Sequence, residues 1–174
     1  ERGGLTMLQR RLALATIAAL ALPACGFQLR QAPKFPFAAL RMAGSESTIT
    51  AAALRRELQI NGLRVLTSAD PASPADASAV VLRVLIDQRE RAVVGQTASG
   101  QVRELQLRTR FRFNLQTADE RILIDDTELL LERDLSFNET QVLAKDAEEQ
   151  LLYRDMTSDI VQQVLRRLAA VDRT

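Results

Sequence analysis

The chain has no histidine and no tryptophan, one cysteine and one tyrosine among 174 residues, and that poverty excludes most familiar catalytic chemistry. Without histidine there is no Ser/His or Cys/His pair to activate a nucleophile and no imidazole metal site, and a single thiol cannot form an internal disulfide. Glycine and proline are sparse, at seven and five residues, so the chain is neither collagen-like nor of low complexity. Lysine occurs only at Lys34 and Lys145, and a formal net charge of +1 lacks the basic footprint of a nucleic-acid binder. What remains is ordinary: 47% hydrophobic and 26% charged residues, the balance of a folded protein at a length that suits one domain.

The longest apolar run, Leu12 to Leu22, follows Arg10 and Arg11 and ends at Pro23-Ala24-Cys25. At about 1.5 Å per residue it spans roughly half of a bilayer core of about 30 Å, too little for a permanent membrane helix. A basic start, a short apolar stretch and a cysteine just after it resemble a bacterial lipoprotein signal, and the only cysteine of the chain stands at the acceptor position. Cys25 is therefore expected to carry a diacylglycerol on its thiol, to lose residues 1–24, and to be acylated on its new amino group. This covalent lipid is the one attached group expected, with no metal and no other cofactor. Gly26, and not an aspartate, follows it, which favours the periplasmic leaflet of the outer membrane. Residues 25–36 then form a lipidated N-terminus and tether, and residues 37–174 a single domain. Removing the leader takes away Arg2, Arg10 and Arg11 against Glu1 alone, which leaves the domain close to neutral and slightly acidic.

Within that domain the hydrophobic period changes several times. Ala38 to Ala43 is short enough for one strand, and Ile49 to Ile60 sets Ala51, Leu54 and Leu58 three and four apart, an amphipathic helix ended by Asn61-Gly62. Thr67 to Ala79, with Pro71 and Pro74, reads as a loop. Three strands of period two follow. Val80, Leu82, Val84 and Ile86 line one face of the first, with Arg83, Asp87, Arg89 and Arg91 opposite. Leu107, Thr109, Phe111 and Phe113 line the second, and Thr127, Leu129 and Leu131 the third. From about Thr140 to Val171 a helical stripe returns at Leu143, Ala147, Leu151, Ile160, Val164 and Leu168, joined by Leu152, Met156, Val161 and Leu165, with Asn138 or Ser136 as its cap and Glu139 near its start. The order β-α-β-β-β-α predicts an α+β two-layer sandwich, two helices packed on one face of a mixed four-stranded sheet.

The row Arg108, Arg110 and Arg112 is answered on the next strand by Asp126, Glu128 and Glu132, so it reads as an ion-paired solvated face rather than an anion-binding stripe. The inward residues of both strands are odd-numbered, so directly opposed positions must sum to an even number. That requires an odd-length connection around Thr117 to Arg121, or a bulge. Carboxylate pairs suited to hydrolysis are wanting: Asp125 and Asp126 point to opposite faces of a strand, and Glu148 and Glu149 lie about 100° apart on a helix with no nucleophile in view. No catalytic residue is expected.

Several short runs, in their order and spacing, carry a resemblance. They are Cys25-Gly26-Phe27-Gln28-Leu29-Arg30, Leu58-Gln59-Ile60-Asn61-Gly62, Gly100-Gln101, Leu143-Ala144-Lys145-Asp146 and Arg166-Arg167-Leu168. Together they resemble the LptE family of lipopolysaccharide-assembly lipoproteins of Gram-negative bacteria, over the whole mature region. The resemblance implies a non-enzymatic partner of LptD, an outer-membrane β-barrel, seated in the barrel lumen as a plug and helping lipopolysaccharide reach the outer leaflet, with direct binding of that lipid. It also implies ligand-binding residues. Lys145 matches the family's Leu-Ala-Lys-Asp run, while Ala98-Ser99 stands where the family has its second basic region, so Arg91 and Arg103 are taken in its place. Two other readings of the residues stay open: a lipoprotein subunit of another outer-membrane assembly or transport complex, and a Lys145 that is simply exposed.

Overall fold

The computed structural model describes residues 33–71, 73–137 and 142–171. Cys25, the leader and most of the tether lie outside these residues, as do Asn138 and Glu139. Among the described residues five strands and two helices follow one another as β1 (Ala39–Gly44), α1 (Ile49–Ile60), β2 (Arg64–Leu66), β3 (Val80–Gln96), β4 (Val102–Gln116), β5 (Ile122–Ser136) and α2 (Val142–Ala169), with a 3-10 turn at Pro74–Asp76. The sheet order is β2-β1-β3-β4-β5; β1 runs parallel to β2 and β3, and the other pairings are antiparallel. Leu54 and Leu58 of α1 and Ile160, Val164 and Leu168 of α2 share one core with Leu40, Leu82, Phe111 and Phe113 of the sheet. Both helices therefore cover the same face, the α+β arrangement expected. The sheet has five strands where four were expected, because Arg64–Leu66 pairs with Ala39–Arg41. Three residues are too few to display an alternation, and only the parallel pairing with β1 defines them.

Helix α1 occupies the residues its periodicity marks, with Thr50, Ala51, Leu54 and Leu58 buried. Its end is closed by Asn61 N–H donating to the Glu57 carbonyl at 3.0 Å and Leu63 N–H to the Leu58 carbonyl at 3.0 Å, around Gly62 at φ +82°. Its start is capped from a distance. Thr48 makes no side-chain cap, its hydroxyl donating instead to the Ser45 carbonyl at 2.7 Å. The orphan amides of the first turn go to the Asp87 carboxylate of β3, from Thr50 at 2.8 Å and Ala51 at 3.1 Å.

Asp87 reaches α1 because β3 is bulged. Val84 lies opposite Phe113 and Ile86 opposite Arg112, which leaves Leu85 as an extra residue. Beyond that point the alternation is inverted. Asp87, Arg89 and Arg91 pair with Phe111, Thr109 and Leu107 and turn toward the helices, while Ile86 turns away from them. The expected outer row Arg83, Asp87, Arg89 and Arg91 thus keeps only Arg83, opposite Asn114. One inserted residue reverses every side chain after it, and an unbroken period-two count cannot register the insertion.

The stripe expected on α2 is corrected in its first half and holds from Met156 to Leu168. Leu143 and Leu151 are 86% and 52% exposed, whereas Tyr153, Met156, Ile160, Val161, Val164 and Leu168 are buried. At about 100° per residue, the nine-residue step from Leu151 to Ile160 turns the helix by about 180°, so those two residues cannot share a face. Between β4 and β5 the register puts Thr109 opposite Leu131 and Phe111 opposite Leu129. The even-sum rule holds from Glu104 to Phe113 and is interrupted where Leu115 meets Ile124, and the connection Ala118-Asp119-Glu120 is closed by Thr117 N–H donating to the Arg121 carbonyl at 2.9 Å. Arg112 faces Glu128 in this register.

Candidate functional site

The helix-free face of the sheet carries the arginine row. Arg108 pairs with Glu132 at 2.9 Å, Arg110 with Glu128 at 3.1 Å and with Glu90 of β3 at 3.6 Å, and Arg112 with Asp126 at 3.5 Å. Long side chains reach diagonal neighbours as well as directly opposed ones, so the row is neutralised across two strands. It is the ion-paired face expected, with no surplus charge for an anion.

The cations singled out for binding gather elsewhere, at the end of the sheet where β4 begins and β5 finishes. Lys145, in the first turn of α2, donates from Nζ to Glu148 at 2.8 Å and to the Ser136 hydroxyl at 3.3 Å. Ser136 is still part of β5, paired with Glu104, and so receives a lysine instead of capping the helix. The next residue, Phe137, ties in the other two. Its amide donates to the Arg103 carbonyl at 2.8 Å, and the Arg91 guanidinium lies 5.8 Å from its ring centre. Arg91 owes this position to the inverted alternation of β3, which also brings it within 3.5 Å of Glu149 on α2. The Arg103 side chain is exposed. Lys145 and Arg91 therefore meet the Ser136-Phe137 segment through their side chains, and Arg103 meets it through its backbone carbonyl.

Two of the three cations are balanced locally, by Glu148 and Glu149, so an incoming anion must compete with carboxylates. The Lys145 side chain is only 15% exposed, which fixes its ammonium near the first turn of α2. Unpaired N–H groups and the helix dipole favour negative charge there. Beneath the cluster, the Tyr153 hydroxyl donates to the Glu90 carbonyl at 2.7 Å, and the Arg89 guanidinium stacks 5.0 Å from its ring centre. Burial, and then the negative charge of Glu149, raises the Tyr153 pKa above the ordinary phenol value of 10.0. Phe137 and Tyr153 are not marked by the sequence pattern, whereas the carboxylate of Glu149 lies in the turns that already set negative charge near Lys145. The one sign of the two aromatic residues is that Tyr153 is the sole tyrosine and begins the buried stripe of α2.

Comparison with known proteins bears directly on this architecture. A family model described as LptE, lipopolysaccharide-assembly, matches residues 37–168. The chain belongs to the LptE lipopolysaccharide-assembly family. The solution structure of a lipoprotein B from Nitrosomonas europaea is similar at 31% identity and TM-score 0.67, covering 83% of this chain and 91% of that one. A rare lipoprotein B from Shewanella oneidensis shares the fold at 22% identity and TM-score 0.60, over 76% of this chain and 94% of its own. A minor lipoprotein from Acinetobacter baumannii does so at 22% identity and TM-score 0.60, over 79% and 94%. Comparison with curated protein sequences gives no match.

Proposed function

We infer that this LptE-family chain is lipidated at Cys25, lies on the periplasmic side of the outer membrane, and fills the lumen of an LptD β-barrel. There it acts without catalysis, helping lipopolysaccharide reach the outer leaflet. The observation that carries the reading is the uncovered sheet face. Arg108, Arg110 and Arg112 are each answered by a carboxylate, and such a polar, charge-balanced wall suits the wet interior of a large barrel, where lumen-facing positions are polar. No helix among the described residues is long and apolar enough to cross a membrane, so attachment falls to the lipid on Cys25.

Purification of the lipidated full chain from outer membranes, with its partners identified by mass, tests this. LptD should be recovered with it, and the chain should begin at a triacylated Cys25. Recovery of a different outer-membrane assembly without LptD would transfer the chain to that complex, and an unmodified Cys25 in an uncleaved chain would overturn the anchor. Lipopolysaccharide binding is assigned to Lys145, Arg103 and Arg91. Because Glu148 and Glu149 compete, Lys145→Ala should weaken binding only modestly, by about 1–2 kcal/mol, and Lys145→Asp by more, with a shallower salt dependence in both. Unchanged affinity in both variants would make Lys145 a contact to the barrel or a bystander.

A further inference from the structure

One face of α1 is buried in the core, but a second stripe on the same helix is not. Ile49, Ala53, Arg56 and Ile60 recur four, three and four apart, and Ile49 and Ile60 are 58% and 76% exposed. This stripe is one wall of a groove of about 420 Å³ between α1 and α2. Arg154 and Val161 of α2 stand on the opposite wall, and Arg89 of β3 contributes from between the helices. The groove thus holds three guanidinium groups against one carboxylate, that of Glu57.

Six arginines outside the groove, Arg64, Arg91, Arg108, Arg110, Arg112 and Arg133, each have a carboxylate within 4.0 Å. Among the described residues Arg56, Arg89 and Arg154 have none. Arg89 donates to the Thr157 hydroxyl at 2.9 Å, while its Nε is buried with no acceptor. A guanidinium cannot shed its charge, and a buried N–H without a partner is costly, so this site lacks an anion.

We propose that the α1–α2 groove is an interaction surface for an acidic, apolar-flanked segment of a partner polypeptide. Two apolar side chains rest against Ile49 and Ile60, which a rise of about 1.5 Å per residue sets roughly 16 Å apart, and a carboxylate between them is received by Arg89 and Arg154. An acyl chain fits less well, because Arg56 and Glu57 divide the two apolar ends and Glu57 repels a phosphate. The surface is separate from the Lys145 cluster and does not depend on lipopolysaccharide binding there.

The test is an amide chemical-shift titration of the full chain in zwitterionic micelles. The probe is an acetylated, amidated hexapeptide with leucines at both ends and glutamates at positions three and four, whose extended length is about 16 Å. Its glutamine counterpart is the control. The glutamate peptide should bind at least tenfold more tightly, with shifts confined to residues 49–60 and 150–162. That preference should disappear in Arg89→Gln and shrink severalfold in Arg154→Gln, whose exposed side chain leaves the fold intact. Equal binding of the two peptides, or a preference unchanged in Arg154→Gln, would overturn the proposal. So would the same shifts produced by doping the micelles with phosphatidylglycerol, or by raising protein concentration alone, since those outcomes give the groove to a lipid or a second copy.

Discussion

Where β3 begins, the sheet carries β1 and β2 beside it and both helices above it, and the large core of Leu54, Leu82, Phe111, Phe113, Ile160 and Val164 lies between the layers. Where β3 ends, neither β1 nor α1 is present, and the buried set shrinks to Leu105, Leu107, Leu135, Tyr153 and Met156 under the first half of α2. The thin end makes up part of the difference with polar links: Tyr153 to the Glu90 carbonyl, Arg89 to Thr157, and Arg91 to Glu149. It is also where Lys145, Arg103 and Arg91 lie. Burial dominates the stability of one end, while the other keeps charges within reach of solvent at the cost of a smaller core. Local opening should therefore begin at the thin end.

The largest expected effect is in the thick core. Phe113→Ala should cost about 3–5 kcal/mol in denaturant unfolding, through lost burial and the cavity left behind. Leu135→Ala at the thin end should cost less, near the lower limit of about 2–5 kcal/mol for such truncations, because the buried set around it is smaller. Hydrogen exchange supplies the direct comparison: amides at residues 89–93 should open at lower free energy than those at residues 80–84. Equal protection along β3 would remove the distinction between the ends.

Asp87 joins the two regions, since it stands on β3 just past the bulge and caps the helix that only the thick end possesses. Asp87→Ala should lose about 1–2 kcal/mol, comparable to deleting an N-cap, with the loss seen in α1 amide exchange. Asp87→Asn, which keeps one acceptor oxygen, should lose less. Tyr153→Phe should cost about 1 kcal/mol at neutral pH by removing the bond to the Glu90 carbonyl. The pH dependence has a definite sign. Burial and Glu149 raise the folded-state pKa of Tyr153, so its contribution is complete below the unfolded value of about 10 and is lost as pH rises through the folded value. The variant's stability should fall less steeply above pH 10 than that of the parent, and parallel profiles would mean that the phenol is not held in its neutral form.

Much of this layout is legible in the sequence where the local pattern is long and unbroken. Strand β4 alternates without a bulge next to β5 from Glu104 to Phe113, and α1 is bounded by Ile49 and by Asn61-Gly62, so both were readable. Strand β2 was not, because three residues hold no period. Nor was the direction of Asp87, Arg89 and Arg91, because the extra Leu85 is chosen by pairing with β4 and leaves no mark in the hydrophobic count. Lys145 matches a family run, and Arg91 and Arg103 stand in where the family's second basic region is missing, while Phe137 meets Arg91 and the Arg103 backbone only through the pairing of the end of β5 with β4. Residues that meet by strand register are the ones a linear pattern misses.

The smallest expected effect concerns the two hairpin turns, one at each end. In both, a threonine N–H donates to a carbonyl four residues on, Thr97 to Gln101 and Thr117 to Arg121, each at 2.9 Å. In both, the threonine hydroxyl accepts the N–H of that same residue at 3.0 Å. The third loop residue is left-handed in each, but the thin end uses Gly100 at φ +82° and the thick end Glu120 at φ +65°. A left-handed residue with a side chain costs about 1–2 kcal/mol, and glycine relieves that while adding roughly 0.5–1 kcal/mol of unfolded-state entropy. Glu120→Gly should accordingly stabilise the protein by several tenths of a kcal/mol, to about 1 kcal/mol at most. A Cβ at Gly100 would meet nothing within 4 Å, so Gly100→Ala isolates the backbone cost and should destabilise by about 1 kcal/mol. Global unfolding should register the gain at Glu120 in full. The loss at Gly100 should appear first as faster amide exchange at residues 95–103, because the thin end can open without the rest. Identical responses of the two turns in global unfolding and in local exchange would mean that the ends unfold as one cooperative unit.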